Sequence, residues 1–252
     1  MTSDIFCSTA AIATSFDVAC DPCLAADLLS DRELRTLERR YRSQCAAVVV
    51  HAFQSWLRRA GSALPDPASR GVVLGSATGA GPDIELFLDN SISVGDHLVN
   101  PGLFPMTVHH AAAGIAAIAT ECRGPNVVVS AGLGSAWSAL DAACAFIDDG
   151  SAELVFVGGF ESQALAPDTR GTVAAVVALA SAPATLGRSY LAPLSTLLDG
   201  MDRPPVEEGA DERSGKARIA ALVSWAEVFA PASEPDSAEP RVGAGETAGG
   251  RA

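Results

Sequence analysis

After Ser30, Leu34, Leu37 and Tyr41 recur three and four residues apart among charged neighbours, which predicts an amphipathic helix. Ser30-Asp31-Arg32-Glu33 ahead of them supplies an N-cap with acid in the first turn. The helix continues, or restarts, through Cys45 to Ala60 and stops at Gly61. Pro65, Pro67 and Ser69 mark a loop. Gly71 to Ser76 then forms a continuous apolar run, the pattern of a buried strand, and enters a glycine-rich turn from Gly75 to Gly81.

Pro105 to Thr120 is rich in alanine, with Gly114 among Ala111, Ala112, Ala113, Ala116 and Ala117, and such small side chains allow close helix packing. Gly124-Pro125 ends that helix. Asn126 to Ser130 is a β-branched run that predicts a central strand, Ala131 to Ser135 a tight turn, and Ala136 to Asp148 a helix. Leu154 to Val157, followed by Gly158-Gly159, predicts another strand, and Thr172 to Ala180 one more. Strand, turn, helix and strand in this order define an α/β layer architecture.

Beyond Leu198 the pattern changes to Pro204-Pro205 and Glu207-Glu208. The domain organisation read from it is a domain over 1–200, a linker over 201–215, a C-terminal helix over 216–229 and a disordered tail over 230–252.

Hydrophobic residues make up 48% of the 252 positions and charged residues 19%, enough apolar material for a sizeable core. The net charge of −13 argues against a nucleic-acid partner, which needs concentrated Lys and Arg to displace counterions. Basic residues cluster only at Arg39-Arg40-Tyr41-Arg42 and Arg58-Arg59, read as one face of a helix. No apolar run reaches the roughly 20 residues of a bilayer-spanning helix and no signal segment leads the chain, so a cytoplasmic location without a membrane partner is expected. Cys7, Cys20, Cys23, Cys45, Cys122 and Cys144 are scattered, which favours reduced thiols. The lone Cys20-x-x-Cys23 lacks two further ligands at suitable spacing, so neither a metal nor another cofactor is expected.

Two turns are candidates for chemistry. Gly75 to Gly81 lacks the Lys-Ser/Thr of a phosphate loop and the GxGxxG spacing. Ser130-Ala131-Gly132-Leu133-Gly134-Ser135 has the strand-to-helix form that exposes a nucleophile above a helix N-terminus, yet leucine stands where a hydrolase elbow carries serine. Ser135 is the alternative nucleophile, with His51, His97, His109 and His110 as candidate bases.

From Gly71 to Phe160 the sequence resembles the N-terminal half of β-ketoacyl synthases, the thiolase-fold condensing enzymes of fatty acid and polyketide assembly. The resemblance is carried by Gly71 to Gly79, by Phe104-Pro105 with His110 to Gly114, by Arg123-Gly124-Pro125, and by Glu153 to Gly159. It implies an α/β, thiolase-like fold of the N-terminal half only, with layered helices and a mixed sheet. Counting from Arg123-Gly124-Pro125 and back from Glu153 places the family's catalytic cysteine at Leu133, and a leucine forms no thioester. Cys144 lies about three turns along the helix and does not replace it. The family's two catalytic histidines and closing glycine-rich loop have no counterpart after Leu198.

This pattern is similar to the short, cysteine-less chain length factors of type II, aryl-polyene and highly reducing polyene polyketide systems. The resemblance implies a heterodimer with a ketosynthase in which Val127, Val128, Val129 and Ser130 extend one sheet between subunits, with His110 and Trp137 at the interface. It also implies that Thr78, Leu103, Phe104 and Thr107 line the end of an acyl tunnel. Carrier proteins are acidic, so the carrier is expected to dock on the ketosynthase, reaching this chain only indirectly. The face of the 136–148 helix bearing Trp137, Leu140, Cys144, Phe146 and Ile147 is expected to lie bare until a partner covers it. The enzyme-class alternative is a decarboxylase or hydrolase using Ser135, and a third reading is a decayed synthase without a partner.

Overall fold

The computed structural model describes residues 4–16, 26–61, 63–95, 97–166, 169–199 and 214–231. The strands are β1 (Phe6–Ser8), β2 (Ala11–Thr14), β3 (Ala26–Leu28), β4 (Arg70–Gly75), β5 (Asn126–Val129), β6 (Leu154–Ala166), β7 (Thr169–Ala180) and β8 (Tyr190–Pro193). The helices are α1 (Asp31–Tyr41), α2 (Gln44–Ala60), α3 (Gly81–Val94), α4 (Ala111–Ala119), α5 (Ser135–Asp148), α6 (Leu194–Leu198) and α7 (Gly215–Glu227).

One mixed sheet runs β3-β2-β7-β6-β4-β5. β4 lies parallel to both β5 and β6, while β7 lies antiparallel to β6 and β2. β1 pairs with the far end of β7 and with β8. Helices cover both faces, which is why the central strands read as continuous apolar runs without alternation. Val72, Leu74 and Phe156 face a core built with α2 and α4, including Phe53 and Trp56; Val73, Val155 and Val157 face α5 and α7, including Leu140, Trp225 and Phe229.

Local sequence explains the helix boundaries. Ser30 and Glu33 close a reciprocal capping box on α1, which ends at Arg42 in the left-handed region (φ 57°). Ser43 then caps α2, so the helix restarts, and Gly61 ends it with φ 59°. The basic clusters do not share one helix face. Arg39 and Arg40 close α1 and Arg58 and Arg59 close α2, each complementing the negative end of a helix dipole. Arg59 also donates to the carbonyl of Ala10 at 2.9 Å.

Two further expectations change. Among the described residues, the 126–130 run forms an edge strand of this sheet, paired with β4 alone, and not a central one. The helix after the turn is not bare, because Trp137, Leu140 and Ile147 pack in one core with Ile219, Leu222, Trp225 and Phe229 from α7 and the residues after it. α3 follows the glycine turn as a full helix, over a stretch for which no element was expected. The helix expected over 216–229 corresponds to α7; Cys20, Cys23, most of the 201–215 linker and most of the 230–252 tail lie outside the described residues.

Candidate functional site

The turn between β5 and α5 is built around the hydroxyl of Ser135. That hydroxyl donates to the carbonyl of Gly132 at 2.6 Å and accepts from the amide of Ala131 at 3.0 Å. Gly132 sits at φ 56°, a conformation glycine adopts without a Cβ penalty. Ser135 is 3% exposed, and its hydrogen-bonding capacity is spent on holding the turn. A nucleophilic serine needs a base within hydrogen-bond reach, and both of Ser135's bonds go to turn backbone.

β4 approaches this turn closely enough to demand glycine, since a Cβ on Gly75 would stand 2.2 Å from the carbonyl oxygen of Ser135. Leu133 is half-buried. With Gly75, Gly132, Ser135, Ala136, Glu161, Arg218 and Leu222 it bounds a cavity of about 10 Å³, room for roughly one water molecule. The Leu133 side chain offers no nucleophilic atom. Among the described residues the thiols do not compensate. Burial pushes Cys7 up, Cys45 up to about 12 and Cys122 up, which keeps all three protonated and inert. Cys144 lies well inside α5.

A buried carboxylate organises the neighbouring glycine turn. Glu161 on β6 is 5% exposed and accepts from the amide of Ala77 at 2.5 Å and the hydroxyl of Thr78 at 3.1 Å. Oε2, the oxygen that accepts from Thr78, also lies 3.2 Å from Nε of Arg218, on α7. Burial raises the Glu161 carboxyl, and the bonds from Ala77, Thr78 and Arg218 act in the opposite direction. Beyond Thr78 opens a cavity of about 420 Å³, lined among others by Thr78, Glu85, Ser162, Gln163, Lys216 and Arg218.

The four residues assigned to an acyl tunnel by resemblance separate in space. Thr78 faces this cavity, whereas Leu103, Phe104 and Thr107 are not among its lining residues. Phe104 opens a short 3-10 turn, is 59% exposed and sets its ring edge-on to Phe87 at 6.0 Å. Thr107 donates its hydroxyl back to the carbonyl of Phe104.

The residues assigned to a subunit interface also divide. Val127, Val128 and Val129 are half-buried on the free edge, Ser130 is exposed just beyond it, and His110 is exposed immediately before α4. Trp137 is instead 9% exposed within the α5–α7 core. Sequence reasoning missed a group of exposed apolar residues. On α3, Ile84, Leu86, Leu88, Ile92 and Val94 are all exposed, and Leu98 follows at 66%. Ile118 on α4 is 81% exposed. The 104–106 turn lies against both α3 and α4, and α4 lies against β5, so the elements that carry these side chains adjoin the strand edge. The spacing of Ile84, Leu88 and Ile92, with Pro82 in the first turn, was the available signal.

Asp83 anchors α3 from the opposite side. It is the buried residue of that helix, and Ser43 donates its hydroxyl to Oδ2 at 2.7 Å. Burial pushes its carboxyl up to about 6, opposed by the Ser43 bond and reinforced by Glu38. A raised carboxyl value means that the folded chain disfavours the ionised form, so stability falls as pH rises from the ordinary aspartate value toward 6. Between pH 4.5 and 7.5 this group should cost about 2 kcal/mol. Urea unfolding at the two pH values is expected to show that slope in the wild type, reduced by the same amount in Asp83→Asn.

A model of the family described as beta-ketoacyl synthase, N-terminal domain, matches residues 27–185, more than half of the chain. The chain belongs to that family, and its fold is thiolase-like. No curated protein matches it. Among solved structures it is similar to a type II polyketide synthase ketosynthase complex with its acyl-carrier protein and bound hexaketide (AntDE:AntF), at 14% identity and a TM-score of 0.55, covering 75% of this chain and 66% of that one. It is also similar to the ketosynthase ApeO in complex with its chain length factor ApeC from Xenorhabdus doucetiae, at 20% identity and a TM-score of 0.47, covering 70% and 79%. A third similarity is to the ishigamide ketosynthase/chain length factor, at 26% identity and a TM-score of 0.41, covering 48% of this chain and 37% of that one. Among the described residues no helix is long and apolar enough to cross a membrane, and no group of three or more His, Cys, Asp or Glu could hold a metal ion.

Proposed function

We propose that this chain is a non-catalytic, chain length factor-like subunit that pairs with a ketosynthase and shapes its acyl tunnel during polyketide or polyene elongation in the cytoplasm. The observation that carries the reading is Leu133 at the apex of a strand-turn-helix whose family places a nucleophile there. An inert side chain at that point leaves the fold a shaping role. Two features support a partner. Among the described residues β5 ends the sheet with one side unpaired, and such an edge is a template for another chain. The apolar surface of α3, the 104–106 turn and Ile118 is larger than scattered surface residues require, and each aliphatic side chain fully buried contributes about 1.5–3 kcal/mol to association.

The test is to purify the chain alone and with a co-expressed ketosynthase, then supply malonyl- and acyl-carrier protein to each. Alone it is expected to give neither turnover nor covalent acylation; with the ketosynthase, condensation appears. Acylation of the isolated chain that disappears in Ser135→Ala would overturn the proposal in favour of an enzyme, although the Ser135 hydroxyl is occupied within its own turn. In the paired system, Thr78→Ala and Phe104→Ala are each expected to lengthen products by at least one extension unit, read by mass spectrometry. An unchanged distribution counts against the tunnel assignment.

A further inference from the structure

We infer that the buried pair Glu161 and Arg218 positions the Thr78 wall and so acts as a determinant of product length, working through the glycine turn. This rests on the chain length factor reading above. Thr78 is the residue through which the pair acts. It faces the cavity of about 420 Å³, and its hydroxyl is held by Glu161. The adjoining Ala77 amide is held by the same carboxylate, so two successive residues of the turn are tied to one buried group.

Arg218 fixes that group in turn. Its Nε lies 3.2 Å from Oε2 of Glu161, the oxygen that also receives the Thr78 hydroxyl, and its Nη2 donates to the carbonyl of Ser162 at 3.3 Å. The side chains of this pair are 6% and 10% exposed, so the interaction is little screened by solvent. Arg218 also borders both cavities, the small one at Leu133 and the larger one at Thr78. The turn cannot shift toward α5, because Gly75 already meets the backbone of Ser135, nor can it take a bulkier residue at Gly79, where the ring of His109 fills the space of a Cβ. The carboxylate holds the amide of Ala77 and the hydroxyl of Thr78, and so restrains movement of residues 77–78 into or out of the cavity.

The geometry has a further consequence. Glu161 lies inside the segment that matches the family, residues 27–185, whereas Arg218 lies beyond it on α7. The charge that steadies the turn therefore comes from the chain's own C-terminal helix, and a change on α7 reaches the cavity wall without altering any residue of the matched domain.

The experiment uses the full chain co-expressed with its ketosynthase and reads complex formation by size-exclusion chromatography and product lengths by mass spectrometry. Removing one member of a buried pair destabilises a fold strongly, while replacing both by neutral groups of similar volume often does not. The principal variant is accordingly Glu161→Gln with Arg218→Met, accompanied by Arg218→Lys as the conservative exchange. The double variant is expected to keep the complex and raise the ratio of longer to shorter products about tenfold, the scale of a one-methylene change in a binding wall. Arg218→Lys is expected to retain the wild-type distribution. Added to Thr78→Ala, the double variant should change nothing further, which a general loosening of the fold would not reproduce. If Thr78→Ala lengthens products but the double variant does not, or if their effects multiply, the positioning role is wrong and the chain-length reading stands. If Thr78→Ala leaves products unchanged, the tunnel assignment falls and this inference with it.

Discussion

Trp56→Ala is expected to lower the unfolding free energy by about 3–5 kcal/mol, the usual range for emptying a large aromatic site. Trp56 is fully buried on α2, and its ring meets Phe156 of β6 edge-on at 5.1 Å and 84°. Phe53 reaches the same Phe156 at 5.1 Å, so the three rings join α2 to the middle of the sheet. The indole also donates Nε1–H to Oγ of Ser8 at 2.8 Å, and that hydroxyl accepts from the amide of Ala178 and donates to the carbonyl of Thr9. One side chain thus connects α2, β6 and the junction of β1 with β7. Trp56→Phe separates the contributions, because it keeps most of the ring packing and removes the donor; its cost should be near 1 kcal/mol beyond the lost volume. Urea titration followed by circular dichroism checks both, with the alanine variant melting roughly 10 °C lower. A loss under about 1 kcal/mol for Trp56→Ala would mean that α2 is not the organising helix of this face.

The sheet interior was legible because burial on two faces produces unbroken apolar runs. Val72 to Leu74 and Val173 to Ala180 send alternate side chains to opposite cores, and both cores demand apolar groups. The capping box at Ser30 and the stop at Gly61 were legible because local backbone chemistry dictates them. The turn at Leu133 was readable for the same reason, as a glycine-rich corner between a β-branched run and a helix.

What escaped was decided by contacts distant in sequence. β1 to β3 are short strands that exist because the sheet offers them partners, β7 to β1 and β2 and β2 in turn to β3, so no local period marks them. α3 points its aliphatic residues outward and buries a carboxylate, which inverts the pattern by which amphipathic helices are found. Arg218 and Glu161 are 57 positions apart and meet only after α7 folds over β6. The core position of Trp137 has the same origin, since α7 supplies the cover that the sequence left to a partner.

Val128→Pro is expected to abolish assembly with a ketosynthase while leaving the chain folded. The register of β5 decides this. The amide of Val72 donates to the carbonyl of Pro125, and the amide of Ser76 donates to the carbonyl of Val129. In a parallel ladder between those two bonds, Val127 and Val129 turn their polar backbone groups toward β4, and Val128 turns its own toward the free edge. Proline at 128 therefore removes a donor that β4 does not use, and edge strands tolerate such a residue. The same proline denies that donor to any strand approaching from outside, and its ring blocks close pairing. Val127→Pro is the matched control, because it removes a bond to β4 and should destabilise the isolated chain. For Val128→Pro, the melting temperature should move by only a few degrees, an effect near 1 kcal/mol. Co-purification should weaken at least about a hundredfold, since two or more edge hydrogen bonds and their packing are lost together. If Val128→Pro pairs with the ketosynthase as tightly as the wild type, β5 is not the shared edge and the exposed surface of α3 must carry any association through side chains alone.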